Sequence, residues 1–260
     1  MADPIASTHT GKGRRRARVV CLLIAAGVIT AGSFLWWAAQ VMPPMPQALA
    51  AMQSGNGVAV DASRWLAFRP DAGTPRTGLI LYPGARVDPR AYAPTARTIA
   101  AAGHLVVVVP MPLHLAVFSP SRAAQVQAAF PEVRHWAVGG HSLGGAMAAR
   151  YAAQSPARVR GLLLWASYPA GRDDLSANDL AAVSIFGTRD GLVSLAEIES
   201  SRAQLPAKTR WVEIHGGNHA QFGWYGPQRR DLPATISHDE QQRQVIDASI
   251  ALLHQIDTDR

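Results

Sequence analysis

The chain has 260 residues, 48% hydrophobic and 17% charged, which excludes a disordered polymer. Its single cysteine excludes a disulfide framework and any site built from several thiolates. The net charge of +7 is concentrated at one end: residues 1–18 hold five cations (Lys12, Arg14, Arg15, Arg16, Arg18) against Asp3, while the remainder holds 20 basic and 17 acidic residues, so no nucleic-acid-binding face is expected.

Residues 1–18 read as a basic tail. From Val19 to Ala39 follow 21 residues without a charge. At 1.5 Å per residue they reach roughly 31 Å, the hydrocarbon thickness of a bilayer. The cations before the run, with none after it until Arg64, put the N-terminus in the cytoplasm and the rest of the chain outside it. Trp36 and Trp37 stand at the far end, where indole rings favour the interface. Residues 19–41 are therefore expected to be a single-pass membrane anchor. The alternative is a signal peptide, whose apolar region is shorter, about 7–15 residues; cleavage after it would release a secreted protein. Residues 42–57, with three prolines and no charge, read as a stalk, and 58–260 as the folded domain.

In that domain short apolar runs alternate with helical patterns. Val58–Val60 and Trp65–Arg69 form an expected antiparallel pair. Strands are expected over 78–84, 104–110, 135–140, 161–167, 182–187 and 210–216, short, mostly apolar runs bounded by Gly or Pro, as in a parallel sheet buried on both faces. Helices are expected over 89–102, 121–130, 143–154, 195–205 and 238–254, the first started by Asp88 as N-cap and Pro89. The alternation predicts an α/β fold, a mostly parallel, doubly wound sheet flanked by helices. In such sheets ligands gather beyond the carboxyl ends of the strands.

Three strand ends carry candidates. Gly140-His141-Ser142-Leu143-Gly144 is a G-x-S-x-G between an expected strand and an Ala-rich helix, the setting in which a strained turn lifts a serine hydroxyl above the sheet. A serine needs a base, and the base an acid to orient it. Asp190 follows strand 182–187, 48 residues beyond Ser142, and His219 follows strand 210–216, 29 residues further. Singly, Asp190 is an ordinary Asp-Gly turn residue and His219 a loop histidine; Asp173, Asp174 and His215 are their rivals, His215 expected inside the strand. Together, the three follow the chain order nucleophile, acid, base. An oxyanion hole needs two backbone amides: one from Leu143, the other from the loop 82–88, where Ala85 is the chosen donor. Arg86 either stays solvated or reaches an anionic substrate group. Phe222 and Trp224, with Tyr225, either form an apolar shelf beside His219 or pack their loop onto the domain.

The stretches YPGARVDPRAYAP, VVVVPMPLHLAVF, GGHSLGGAMAARYA, IFGTRDGLV and GGNHAQFGWYGPQ resemble the small, lidless branch of the α/β-hydrolase superfamily related to dienelactone hydrolases, the fold-5 family. That resemblance implies nucleophile Ser142, acid Asp190 and base His219, with no cofactor and no metal. It departs from the family at Ala85, where a second glycine is usual, and its serine replaces the cysteine of dienelactone hydrolases proper. The expected activity is a serine carboxylesterase on small-molecule acyl esters. A thioesterase, acyltransferase, amidase or haloperoxidase shares the same constellation. A catalytically silent binding module is the reading from another class.

Overall fold

A computed structural model describes residues 10–258, apart from the side chains of 10–15 and 17. It falls into two units divided after Gln40. The first is a helix, α1 (Thr10–Ala39), whose Arg18–Ala39 stretch has a mean hydropathy of 2.2 and is long and apolar enough to cross a membrane. Of the basic tail, residues 1–9 lie outside the described residues. The rest continues α1 toward its N-terminus, as Arg and Lys favour helix.

The second unit is built on one sheet: β1 (Val58–Asp61), β2 (Leu66–Pro70), β3 (Thr77–Tyr82), β4 (Leu105–Val108), β5 (His135–His141), β6 (Gly161–Trp165), β7 (Ala181–Gly187) and β8 (Arg210–Ile214). The strands lie in the order β1-β2-β4-β3-β5-β6-β7-β8. β1 and β2 form the expected antiparallel pair, β2 joins β4 antiparallel, and every later pairing is parallel. The helices are α2 (Pro46–Ala50), α3 (Ala93–Ala101), α4 (Ala123–Ala129), α5 (Leu143–Gln154), α6 (Leu195–Ser200) and α7 (His238–Thr258). This is the mostly parallel α/β sheet flanked by helices that the alternating pattern predicts.

Strand residues alternate between two cores, one on each face of the sheet. Leu79 and Leu81 of β3 pack with Ile99 of α3 and Leu252 and Leu253 of α7, while Ile80 and Tyr82 pack with Val126 of α4 and Met147 and Ala148 of α5. β4 is Leu-Val-Val-Val, buried at every position, because helices cover both of its faces. The start signals hold: Asp88 accepts the Arg90 amide ahead of a 3₁₀ turn, Pro89–Tyr92, that leads into α3. Ser194 and Glu197 form a capping box at α6.

Residues 42–57 are not the expected stalk. Met42 pairs with Val87, α2 buries Ala48 completely, and Arg97 donates to the carbonyls of Ala51 and Gly55. The prolines suit this role because a packed segment with few free amides needs few partners. The folded unit thus begins at Val41.

Candidate active site

The central strands deliver their carboxyl ends to one place. β5 runs straight into Ser142, which adopts φ +53° and ψ −124° before α5 begins at Leu143. A side chain at that φ costs on the order of 1–3 kcal/mol, so the surroundings must over-determine it. They do: the Ser142 amide donates to the Trp165 carbonyl (2.9 Å), and the Ser142 carbonyl accepts from Ala146 N (3.2 Å) and Ser167 Oγ (2.7 Å). Gly144 is required for a different reason. A Cβ there would run into the carbonyl oxygens of Tyr82 and Pro83, so only glycine lets α5 start this close to the end of β3.

Asp190 and His219 follow β7 and β8, and the structure brings them together. His219 Nδ1 lies 2.7 Å from Asp190 Oδ2, with both side chains 1% exposed. The other carboxylate oxygen of Asp190 accepts the amides of Leu192 (2.8 Å) and Val193 (2.7 Å). The carboxylate is thereby fixed in orientation and satisfied despite its burial. An imidazole held this way can take up a proton at its other nitrogen, with the charge stabilised by the carboxylate behind it.

The rivals are elsewhere. Asp173 pairs with Arg150 at 3.0 Å, and Asp174 is exposed and accepts the Ser176 amide. His215 does not sit inside a strand. β8 ends at Ile214, and the His215 side chain is 84% exposed beside Glu213.

The loop between β3 and the Pro89–Tyr92 turn offers a single free amide. Gly84 donates to the Tyr92 hydroxyl (2.9 Å), Arg86 to the His114 carbonyl (2.8 Å) and Val87 to the Gly84 carbonyl (3.2 Å). Among the described residues, the Ala85 amide donates to no acceptor. The left-handed residue of this loop is Arg86 (φ +57°), not Ala85, so alanine is accommodated without strain. Leu143 is the first residue of α5, and its amide has no carbonyl one turn earlier in the helix to bond.

Beneath the turn lies a group that the sequence reading passed over. His141 Nδ1 is 2.9 Å from the Tyr92 hydroxyl, and its ring centroid is 4.5 Å from that of His219. Because the Gly84 amide already donates to the Tyr92 oxygen, the phenolic proton is available to His141 Nδ1. Burial holds His141 well below the ordinary histidine range, with His219 adding to the effect, and burial pushes Tyr92 up. Both stay neutral at neutral pH. A side chain at Gly84 would crowd this pair, its Cβ 2.9 Å from His141 Nδ1.

A second missed residue is Asp231. Its carboxylate accepts the amides of Gly191 (3.0 Å), His219 (3.3 Å), Ala220 (2.8 Å) and Leu232 (3.0 Å). One side chain therefore ties the loop of Asp190 to the loop of His219. No local motif surrounds it, and its position on a loop 12 residues past His219 gives no signal short of the fold.

Of the two readings of the aromatics, shelf or packing, their burial fits the packed one. Phe222 is fully buried and stacks on His141 (centroids 5.7 Å, 15°), and Tyr225 is buried beside it. Trp224 is half-buried and lays its ring on His238 at 4.0 Å. These aromatics hold the His219 loop to the core rather than offering area to a ligand. Arg86 is half-buried. No cluster of His, Cys, Asp and Glu able to hold a metal occurs among the described residues.

Comparison of the sequence with curated proteins finds no match. Among solved structures, the chain is similar to a predicted CIB-like hydrolase from Thermoplasma acidophilum, with a TM-score of 0.55 and 16% identity over 75% of this chain and 100% of that one. It is similar to a structure described under the metagenome-derived lipolytic enzymes LipS and LipT (TM-score 0.55, 14% identity, 76% and 99% covered). It is also similar to the esterase Est2 of Thermogutta terrifontis with propionate bound (TM-score 0.52, 13% identity, 77% and 95% covered). At these identities the likeness concerns the fold. Residues 78–243, from β3 to the first turns of α7 and well over half of the sequence, match the alpha/beta hydrolase family, to which this chain belongs.

Proposed function

We propose that the protein is a membrane-anchored serine hydrolase that cleaves carboxylic esters of small acyl groups outside the cytoplasmic membrane. The observation that carries this reading is the buried 2.7 Å pair of His219 and Asp190 on loops adjoining a serine held at positive φ. Ser142 Oγ attacks the acyl carbon while its proton passes to His219 Nε2. The carbonyl oxygen gains the negative charge and accepts hydrogen bonds from the amides of Leu143 and Ala85, each worth about 10²–10³ in rate. The tetrahedral intermediate collapses, the C–O bond to the alcohol breaks, and the His219 proton goes to the leaving oxygen. Water, deprotonated by His219, then cleaves the acyl-enzyme and restores Ser142. Asp190 keeps the imidazole in the tautomer with its proton on Nδ1 and stabilises the imidazolium. Arg86, at the edge of the same loop, is the cation nearest the proposed oxyanion donors in sequence.

The anchor is the Arg18–Ala39 stretch of α1, with the basic block on the cytoplasmic side. In spheroplasts, externally added protease is expected to degrade the domain; full protection contradicts this orientation, and a soluble mature form starting near residue 40 identifies a cleaved signal instead. For the activity, the full chain is expected to hydrolyse p-nitrophenyl acetate, and Ser142→Ala and His219→Ala each to abolish it. A wild-type protein that is folded but inert toward esters contradicts the reading.

A further inference from the structure

Large apolar side chains on the surface of the second unit are sorted by position. Seven Val, Leu and Phe residues of that unit are exposed among those described, and only Leu49 lies away from the carboxyl end of the sheet. Leu113, Val117 and Phe118 follow β4; Leu192 and Leu195 follow β7; Leu232 adjoins Asp231 beside the His219 loop. Their exposures run from 37% for Leu192 to 52% for Phe118. Scattered apolar residues on a surface need no explanation, but their segregation to the loops at one end of the sheet does. The β4 loop and the β7 loop also stand on opposite sides of β3 and β5, which carry the Ala85 loop and Ser142.

Two further observations indicate what meets this rim. Met42 is hydrogen-bonded to the Ala85 loop, its amide donating to the Arg86 carbonyl (2.7 Å) and its carbonyl accepting from Asp88 N (3.1 Å). Ala39, the last residue of the apolar stretch, is three residues earlier in the chain (42 − 39). Three Cα steps of about 3.8 Å place it no more than about 11 Å from Met42 by covalent connection alone. Only Gln40 and Val41 lie in sequence between that stretch and Met42. Arg229 and Arg230 are exposed on the loop that carries Leu232, and neither is ion-paired among the described residues. Apolar side chains interleaved with cations are the composition that binds an anionic lipid surface.

We infer that the rim of the active-site opening docks on the lipid bilayer and that the site draws its esters from the leaflet, taking amphiphilic lipid esters whose acyl chain stays in the bilayer. This rests on the hydrolase reading above and extends it, from short acyl esters met in water to amphiphilic lipid esters presented by the leaflet. Among the described residues no helix stands between β6 and β7 to cover this end of the sheet, and on this reading the site needs no long acyl groove of its own, because the membrane supplies the apolar wall. In bulk water the same cleft rewards only short chains.

The test uses the full chain reconstituted in vesicles of phosphatidylethanolamine and phosphatidylglycerol, with two substrates: p-nitrophenyl butyrate, added in water, and p-nitrophenyl palmitate, carried in the bilayer. The wild type is expected to cleave both. The triple variant Val117→Ser/Leu195→Ser/Leu232→Ser is expected to lose at least tenfold on the palmitate ester while keeping butyrate turnover within twofold, which also reports that it is folded. Leu49→Ser, exposed but away from the opening, is expected to change neither. Cleavage of butyrate without cleavage of bilayer-borne palmitate overturns the inference and leaves the hydrolase reading standing. So does an equal response of the triple variant and the wild type to the two esters. Cleavage of neither ester by folded wild-type protein overturns the hydrolase reading itself.

Discussion

The two ends of the sheet are built on opposite terms. At the amino end, where β6, β7 and β8 begin, Arg160, Lys208 and Arg210 surround a cavity of about 660 Å³ floored by Leu180, Val183 and Leu252. Regular strand starts form it, with no left-handed residue. At the carboxyl end the backbone is contorted: of the seven non-glycine residues with positive φ among those described, six (Arg86, Leu113, His114, Ser142, Ala166 and Arg230) lie on the loops there, and Asn56 does not. Charged groups are sorted the same way, with Asp190 and His219 paired in a buried site and the half-buried Asp231 saturated by amides. Strain and satisfied buried charge, rather than the volume of a cavity, are what single out the end proposed to carry the chemistry.

Substitutions at the two ends are expected to differ by orders of magnitude. Ser142→Ala is expected to lower kcat by about 10⁶-fold, and adding Asp190→Asn to it to cost nothing further, since members of one catalytic unit are not additive. Ser142→Gly is expected to be as inactive but more stable. It relieves the +53° φ, and roughly 1 kcal/mol of strain corresponds to about 2–4 °C in Tm for a domain of this size. Asp190→Asn alone is expected to cost about 10⁴-fold in kcat, by favouring the wrong imidazole tautomer.

Asp231→Asn sharpens the contrast, because it touches only backbone. It is expected to lower kcat by about tenfold to a hundredfold with little change in KM, as the two loops lose their common acceptor and His219 drifts relative to Ser142. An unchanged kcat shows that the loops hold without it.

At the amino end the expected effects are on stability. His104, just before β4, is pushed down to about 4 by burial and by His254, with Asp257 opposing, and its Nε2 is buried without a partner. The folded chain refuses a proton that the unfolded chain takes up near pH 6.5. Stability is therefore expected to fall as the pH drops from about 6.5 toward 4. His104→Gln is expected to flatten part of that fall, measured as Tm against pH; the buried His141 contributes in the same direction. Lys208→Ala, beside the cavity, is expected to leave kcat/KM within twofold and stability within about 0.5 kcal/mol.

How much of this was legible in the sequence follows from how local each cause is. The five inner parallel strands announce themselves as apolar runs because both faces of each are covered, while β8 at the edge carries Arg210 and Glu213 exposed. Asp88 and Pro89 mark their helix because capping is a matter of a few neighbouring residues. Ser142, Asp190 and His219 stand out because strand ends position them, and strand ends can be found one by one. What escaped depends on contacts between distant segments. Asp231 acts on amides 11 to 40 residues away, and Tyr92 reaches His141 across 49 residues. The prolines of 42–57 look the same in a free linker and in a segment laid against a domain. Phe222 looks the same on a shelf and in a core.

The most direct measurement is the mass-spectrometric identification of the residue modified when the full-length protein reacts with a fluorophosphonate. The expected adduct is on Ser142, formed rapidly by the wild type and suppressed by His219→Ala and Asp190→Asn. An adduct on any other residue, or a folded protein that forms none, contradicts a hydrolase working through Ser142 at the carboxyl end of the sheet.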